Sequence, residues 1–272
     1  MQGPIAQALA LVCVGNTYLR GRDVSGFWPD ASVFRFTKHC EFGADDASQP
    51  IGYRALAPDP AAWFASLKPE CSGLRLHAAP ALLKSGQMPG VNERMLVGFV
   101  GGGPRWLIEA VGAQRSQIWQ GFDRVLDRND PERKIWGTVY ILQGETEPQS
   151  AADVSLLSVT QALDVALTEI ESFAAEVAPD WRNVFASARE ILGGAKPRDG
   201  FHADIGGYAD LDAPSRGLLA AIEQGWVFGG MGSWNDMALN DERYEPLSEN
   251  LFRALIDAIT TLANTTYPRR PG

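Results

Sequence analysis

Residues that bind metals or form covalent cross-links are scarce in this sequence. Its 272 residues include three histidines and three cysteines, and the cysteines lie far apart at Cys13, Cys40 and Cys71. An odd number of widely spaced cysteines without a C-x-x-C motif fits neither a disulfide framework nor a zinc site. We therefore predict three reduced thiols, because a chain of this length buries enough apolar surface to fold without cross-links or a structural metal.

Long apolar runs are also absent from the sequence. Residues 5–14 form an apolar stretch, but it is too short to span a bilayer, and no lysine or arginine precedes it as in a signal peptide. We expect these residues to form a core strand or a short helix. We expect the protein to be cytoplasmic and of the bacterial type.

Basic residues are fewer than acidic ones, and the whole difference lies in the second half of the chain. The net charge is −9; residues 1–150 carry 15 basic and 15 acidic residues, whereas residues 151–272 carry 9 basic and 18 acidic residues. An acidic surface repels the phosphates of nucleic acids and of anionic membranes, so we expect neither as a partner. The charge is compatible with a basic protein partner, with a metal cation, or with solubility alone.

Apolar and polar residues alternate in short segments of the first half, which predicts β-strands. Residues 33–36 and 74–77 show this alternation. Between them Asp59 is expected to cap a short helix that begins at Pro60, because aspartate accepts free N–H groups and proline suits the first helical position.

A hairpin is predicted next in the chain. It consists of an apolar run at 95–100, a glycine-rich turn at 101–104 and a second apolar run at 106–111. Two further strands are predicted at 116–122 and 134–142. Together these segments indicate a mainly antiparallel sheet.

Helical spacing of apolar residues dominates after residue 150. Four helices are predicted: one after a capping box at Ser158 and Gln161, one capped by Asp180, one capped by Asp212 that ends at Gly225, and one over residues 246–263. Strands followed by helices predict the α+β class, with a mainly antiparallel sheet from the N-terminal half packed against helices from the C-terminal half. We expect one domain over residues 1–272, with 143–152 as the candidate for an internal boundary.

The segment 200–212 holds one histidine with three carboxylates nearby, although the sequence contains no recognised catalytic or metal-binding motif. In an extended segment His202 and Asp204 would point the same way, because they are two residues apart. With Asp236 they are candidates for a metal- or carboxylate-dependent hydrolase, in which His202 is a base or a metal ligand and Asp204 a ligand or the group that orients it. The structural alternative is that these carboxylates serve turns and caps, as predicted for Asp212.

The segment 226–237 combines aromatic residues, glycines and polar side chains. Glycine allows close backbone approach, and a large aromatic beside hydrogen-bonding groups is typical of a recognition site. The predicted binding residues are Gly229, Gly230, Gly232, Ser233, Trp234 and Asn235. The structural alternative is a strand and a tight loop that leads to the last helix.

Three functions are compatible with these patterns. The favoured hypothesis is a protein-binding role, as an adaptor, inhibitor or immunity-type protein, in which the acidic C-terminal half attracts a basic protein partner. The alternatives are the hydrolase and a small-molecule sensor whose aromatic pocket is lined by Trp226, Phe228 and Trp234. No cofactor is predicted, and the pattern leaves the oligomeric state open.

Overall fold

The structure, a computed structural model, describes residues 1–80, 92–148, 155–196, 200–237 and 239–268. The helices are α1 (Gly3–Leu19), α2 (Phe27–Asp30), α3 (Pro60–Leu67), α4 (Glu93–Leu96), α5 (Leu156–Val177), α6 (Pro179–Leu192), α7 (Ile205–Tyr208), α8 (Ala213–Gly225) and α9 (Tyr244–Thr265), with 3-10 turns at Ser32–Phe34 and Trp234–Asp236. The strands are β1 (Thr37–Asp45), β2 (Tyr53–Ala57), β3 (Cys71–Ala79), β4 (Arg105–Gly112), β5 (Ser116–Val125) and β6 (Trp136–Thr146). A sheet from the first half therefore packs with helices from the second, which confirms the predicted α+β class.

The six strands form one sheet in the order β2-β1-β6-β5-β4-β3. The pairing of β1 with β6 is parallel, and the four other pairings are antiparallel, as predicted for a mainly antiparallel sheet. One sheet face packs on α3 through aromatic rings: Phe42 stacks on Trp63 with ring centroids 4.2 Å apart and on Tyr140 at 5.2 Å. Such ring pairs add directional contacts to the burial of apolar surface.

Helix α1 is the central helix of the fold. The prediction of a core strand or short helix understated it, because α1 has 17 residues and is buried on all sides from Ile5 to Thr17. It contacts β3, β4 and β5 of the sheet on one side and α9 on another. A helix enclosed in this way needs no polar face, which explains why its sequence shows no helical periodicity.

Two asparagines occupy the edge of the sheet at β3. The side-chain amide of Asn16 donates to the carbonyl of Leu74 at 2.9 Å and accepts from its N–H at 2.6 Å. Asn264 of α9 does the same for Leu76, at 3.0 and 2.8 Å. Because buried backbone groups need partners, these side chains take the place that a further strand would occupy.

Two predicted strands are wrong. Residues 33–36 lie in and after a 3-10 turn, and β1 begins only at Thr37. Residues 95–100 belong to α4 and the turn after it, because the side chain of Asn92 caps this helix by accepting the N–H of Met95. The cap offered by one asparagine outweighs the β-propensity of the apolar run.

The predicted helix caps are confirmed at Asp59 and Asp212, whose side chains accept N–H groups of the first turn. Ser155, not Ser158, caps α5, and Asp180 lies in the first turn of α6 rather than before it. In the candidate boundary at 143–152, residues 143–146 are part of β6, and residues 149–152 lie outside the described residues. None of the described helices combines the length and apolarity needed to cross a membrane.

Candidate functional site

The predicted pair His202 and Asp204 meets at a third residue, Ser32. The segment that holds the pair is not extended but turns into α7, and Asp204 precedes that helix. The backbone N–H of Ser32 donates to Oδ2 of Asp204 at 2.7 Å, and the Ser32 hydroxyl donates to Oδ1 at 2.5 Å. Nδ1 of His202 lies 2.9 Å from the same hydroxyl oxygen.

The direction of these hydrogen bonds determines what the cluster does. A carboxylate only accepts hydrogen bonds, so the hydroxyl proton of Ser32 points to Asp204. The hydroxyl oxygen is then the acceptor, and Nδ1 of His202 is the donor. In a Ser–His nucleophile pair the imidazole instead accepts the serine proton. The arrangement therefore joins the 200–204 segment to the turn at Ser32 and does not activate the hydroxyl.

Burial keeps the imidazole of His202 neutral. Its pKa falls from 6.5 to about 4, mainly because of burial and further because of the positive amino group of Met1, while Asp204 opposes the shift. The backbone N–H of His202 donates to Oε1 of Glu223 at 2.9 Å, and burial raises the pKa of this carboxyl group. A Cβ at Gly200 would overlap with Oε2 of Glu223, so a larger residue there would require this carboxylate to shift.

Asp236, the third hydrolase candidate, lies in a different part of the molecule. Its carboxylate accepts the N–H of Gly232 at 2.5 Å and that of Ser233 at 3.2 Å, and so closes the loop before the last helix. Among the described residues there is no group of three or more histidine, cysteine, aspartate or glutamate side chains arranged to hold a metal ion. The structure thus brings together His202 and Asp204 but not Asp236.

Trp234, predicted to be part of an aromatic pocket, is fully buried. Its indole N–H donates to the hydroxyl of Ser248 at 2.7 Å, and four aromatic rings surround it with centroids 5.2–6.4 Å away. Two surface grooves of about 380 and 230 Å³ lie on α6 and on the sheet, and Trp226, Phe228 and Trp234 line neither of them. Within the described residues Trp234 is therefore a core residue that anchors its loop.

The polar residues beside Trp234 join its loop to a distant segment of the chain. Nη1 of Arg94 donates to Oδ1 of Asn235 at 2.5 Å, and Nδ2 of Asn235 donates to the carbonyl of Arg94 at 2.9 Å. Close packing accompanies this exchange, because a Cβ at Gly98 would collide with the carbonyl oxygen of Gly229. The segments 92–103 and 226–237 are thus fixed against each other.

Arg94 is the central residue of this junction, and only 1% of its surface is exposed. Nη2 donates to Oε2 of Glu245 at 2.6 Å, and Nε lies 3.9 Å from Oε2 of Glu249. Its guanidinium group also lies 5.8 Å from the ring centre of Phe228 and 5.7 Å from that of Tyr244. Arginine suits such a site because it stacks on rings while its planar edge donates several hydrogen bonds.

Apolar side chains stand exposed on these two fixed segments. Phe99 is 71% exposed, Val100 is 68% exposed and Met231 is fully exposed, and Met95 adds a partly exposed side chain beside Arg94. We call these four residues the apolar platform. The predicted binding residues share a loop with Met231, whereas the sequence analysis did not single out Met95, Phe99 and Val100, because an apolar run such as 95–100 resembles a buried strand. One signal in the sequence was Met231, which stands between Gly230 and Gly232. A methionine in a glycine-rich loop is not part of a buried helix or strand face.

Acidic residues outnumber basic ones in the segments that carry the apolar platform. Segments 92–103 and 226–249 carry six acidic and two basic residues, and one of the two is the buried Arg94. Asp236 closes the loop that bears Met231, and Glu245 is exposed beside Arg94. Part of the acidic excess of the C-terminal half therefore lies in the segment that carries Met231.

Comparison with known proteins gives no identity, because the chain matches no protein-family model, no curated protein and no solved structure.

Proposed function

We propose that this protein binds another protein through the apolar platform, as an adaptor, inhibitor or immunity-type protein. The observation that carries the proposal is the exposure of Phe99, Val100 and Met231 on two segments that Arg94 fixes in place. Large apolar side chains exposed near one another are typical of protein interaction sites. The backbone that carries these side chains is already held in place by Arg94 and Asn235, so binding does not have to order the two segments, which favours affinity.

The charge of the platform segments supports a choice of partner chemistry. Carboxylates around an apolar centre complement a surface in which lysine and arginine side chains surround apolar residues. Methionine suits the centre of such a site, because its unbranched side chain adapts to the shape that it meets. We therefore expect a partner with a basic, partly apolar face, and we expect added salt to slow its association.

The hydrolase and sensor hypotheses have less support. The Ser32 hydroxyl points to Asp204, which is the wrong direction for a nucleophile activated by His202. The Trp234 side chain is enclosed by core residues in the described part of the chain. Neither arrangement offers the convergence of reactive groups or the concave apolar space that these functions require.

The test is capture of partners from an extract of the source cells by the immobilised protein. We expect a protein with a basic face to bind the wild type and to be lost from the double variant Phe99→Ser/Met231→Ser. The matched control is Ile51→Ser/Leu157→Ser, which removes two exposed apolar side chains elsewhere on the surface. Cross-linking with mass spectrometry locates the contact on the wild type.

The capture experiment has results that support the proposal and results that overturn it. Loss from the platform variant and retention by the control support the proposal, provided that the cross-links fall in segments 92–103 or 226–237. Equal capture by both variants, or no specific capture by the wild type, overturns it.

A further inference from the structure

The helices that pack on the sheet in the described part of the chain are α1, α3 and α9, and they share one of its two faces. Trp63 of α3 stacks on Phe42, and Gln7 of α1 accepts a hydrogen bond from the hydroxyl of Tyr140. Successive residues of a strand point to opposite faces. The neighbours of Phe42 and Tyr140 in sequence therefore belong to the face away from these helices.

Cross-strand pairing identifies the other residues of that face, because directly paired side chains lie on the same side of a sheet. Ile141, next to Tyr140, pairs with Gly43 of β1 and with Gln120 of β5. The same row continues from Gln120 to Leu107 of β4 and from Leu107 to β3. We call this surface the outer sheet face, and its members used below are Glu41, Gly43, Arg105, Leu107, Ile118, Gln120, Phe122, Val139 and Ile141.

Apolar side chains occupy the centre of the outer sheet face, although none of the described helices covers it. Residues 139–142 of β6 form an unbroken apolar run, which is typical of a strand covered on both sides. Phe122, which pairs with Val139, is 46% exposed, and Leu107 and Ile118 are partly exposed. A sheet face that is left to water carries polar residues at such positions. The sequence of the face thus indicates that it is covered in the assembled protein.

Charges of opposite sign flank this apolar centre at one level of the sheet. Glu41 of β1 pairs with Val139, and Val139 pairs with Phe122. Arg105 reaches the same level from the other side, because it lies two residues before Leu107 in a strand antiparallel to β5. Among the described residues, neither Glu41 nor Arg105 has an ion-pair partner within 4.0 Å.

We propose that the outer sheet face binds the same face of a second copy of the chain, so that the two sheets form a sandwich. Sheets that pack face to face keep their strands within about 30° of each other. A two-fold axis along the strands, between β5 and β6, sets β1 of each copy opposite β4 of the other and β5 opposite β6. Glu41 then faces Arg105 of the second copy, and Phe122 faces Val139. The axis repeats each contact, so the interface contains both pairs twice.

The size of the outer sheet face suits a stable dimer. The sheet has six strands, and all except β2 have 8–11 residues. Strands about 4.8 Å apart with a rise of about 3.3 Å per residue give a face of roughly 800 Å². Specific, stable interfaces bury about 800 Å² on each partner. The dimer uses none of the residues of the apolar platform, so it does not depend on the proposed function.

The first test is sedimentation equilibrium of the purified chain over a wide range of concentrations. We expect the mass to rise from 29.5 kDa towards twice that value. Phe122→Lys should stay at the monomer mass, because it sets a charge against the apolar centre of the other copy. Phe36→Lys is the matched control: Phe36 is 40% exposed but stacks on Phe201 outside the outer sheet face, so this variant should associate like the wild type. Circular dichroism and urea midpoints show whether both variants are folded.

Two charge variants test the arrangement of the copies. Glu41→Lys and Arg105→Glu should each weaken dimerisation by about tenfold or more, because each sets two pairs of like charges against each other. An equimolar mixture of the two variants should regain the association of the wild type. In the mixed dimer the introduced lysine faces the introduced glutamate, and the native Glu41 of one copy faces the native Arg105 of the other.

Three results would overturn the inference. The first is a wild type that stays monomeric at its highest soluble concentration. The second is a folded Phe122→Lys variant that dimerises as the wild type does, and the third is a mixture of charge variants that associates no better than either variant alone. If the wild type is monomeric but Phe122 is protected from hydroxyl-radical oxidation in protein purified from its source, a different protein covers the outer sheet face and the second copy is excluded.

Discussion

Arg94 and Asn235 exchange two hydrogen bonds across 141 residues of sequence, one from the guanidinium to the amide oxygen and one from the amide nitrogen to the arginine carbonyl. The exchange fixes the backbone of one surface segment to the side chain of another. Since the apolar platform is built from both segments, its shape depends on this contact.

Replacing Arg94 by methionine should cost about 1–3 kcal/mol of unfolding free energy, because Oδ1 of the partly buried Asn235 loses its hydrogen-bond donor. The measurement is urea denaturation followed by circular dichroism. Arg253→Met is the matched control, since its ion pair with Glu249 is exposed and should contribute less than about 1 kcal/mol. Equal losses for the two variants would show that Arg94 is not the residue that fixes the junction.

Asn16→Ala should destabilise the fold by about 3 kcal/mol, because the N–H and C=O of Leu74 would be left buried at the sheet edge without partners. Asn250→Ala, which removes an exposed hydrogen bond to Glu169, should change stability by less than about 0.5 kcal/mol. Hydrogen exchange should also show faster exchange in β3 for Asn16→Ala only. Unchanged protection of β3 would contradict the role given to this side chain.

The neutral imidazole of His202 predicts a pH dependence of stability. Its pKa is about 4 in the folded chain against 6.5 for an unperturbed histidine, so the unfolded chain binds the proton more tightly. Stability from this group is fully present above pH 6.5 and is lost as the pH falls towards 4, by on the order of 3 kcal/mol.

The pH prediction is checked by comparing urea midpoints of the wild type and His202→Asn between about pH 4 and pH 7, the range in which this histidine changes its charge. Asparagine keeps a donor near the position of Nδ1 but does not titrate. The contribution of His202 to the pH dependence of the unfolding free energy should therefore vanish in the variant. The raised pKa of Glu223 makes stability fall as the pH rises, which is opposite in sign to the effect of His202. Because Glu223 is present in both proteins, its contribution cancels when the two are compared. Parallel curves for the two proteins would be incompatible with a buried neutral His202.

Ser32 should not react with a fluorophosphonate probe, because its proton is directed to Asp204 and its oxygen accepts from His202. Mass spectrometry of the treated protein checks this, with Ser32→Ala as the blank. Labelling of Ser32 that disappears in His202→Asn would instead revive the hydrolase hypothesis.

Local chemistry made much of the fold predictable. Asp59 and Asp212 cap helices as expected, since a single side chain and the few residues after it determine a cap. Helix α1 was underestimated because a helix enclosed by other elements has no polar face and so no periodicity to detect. The strand predicted at 95–100 failed because short apolar runs do not distinguish a buried strand from an exposed loop.

The candidate site was only half predictable for a related reason. The loop at 229–235 was predicted as a binding site from its glycines and Trp234, which are local signals. Its partner, Arg94, lies 141 residues away in sequence, and no local pattern links the two. Ser32 was missed in the same way, because its contact with Asp204 spans 172 residues.

The most direct test of the proposed function is hydroxyl-radical footprinting of the protein purified gently from its source, compared with the isolated chain. We expect Phe99 and Met231 to be oxidised more slowly in the native assembly, while the exposed Leu157 reacts at the same rate in both. Equal oxidation of Phe99 and Met231 in the two samples would show that nothing covers the platform and would contradict the proposed protein-binding role.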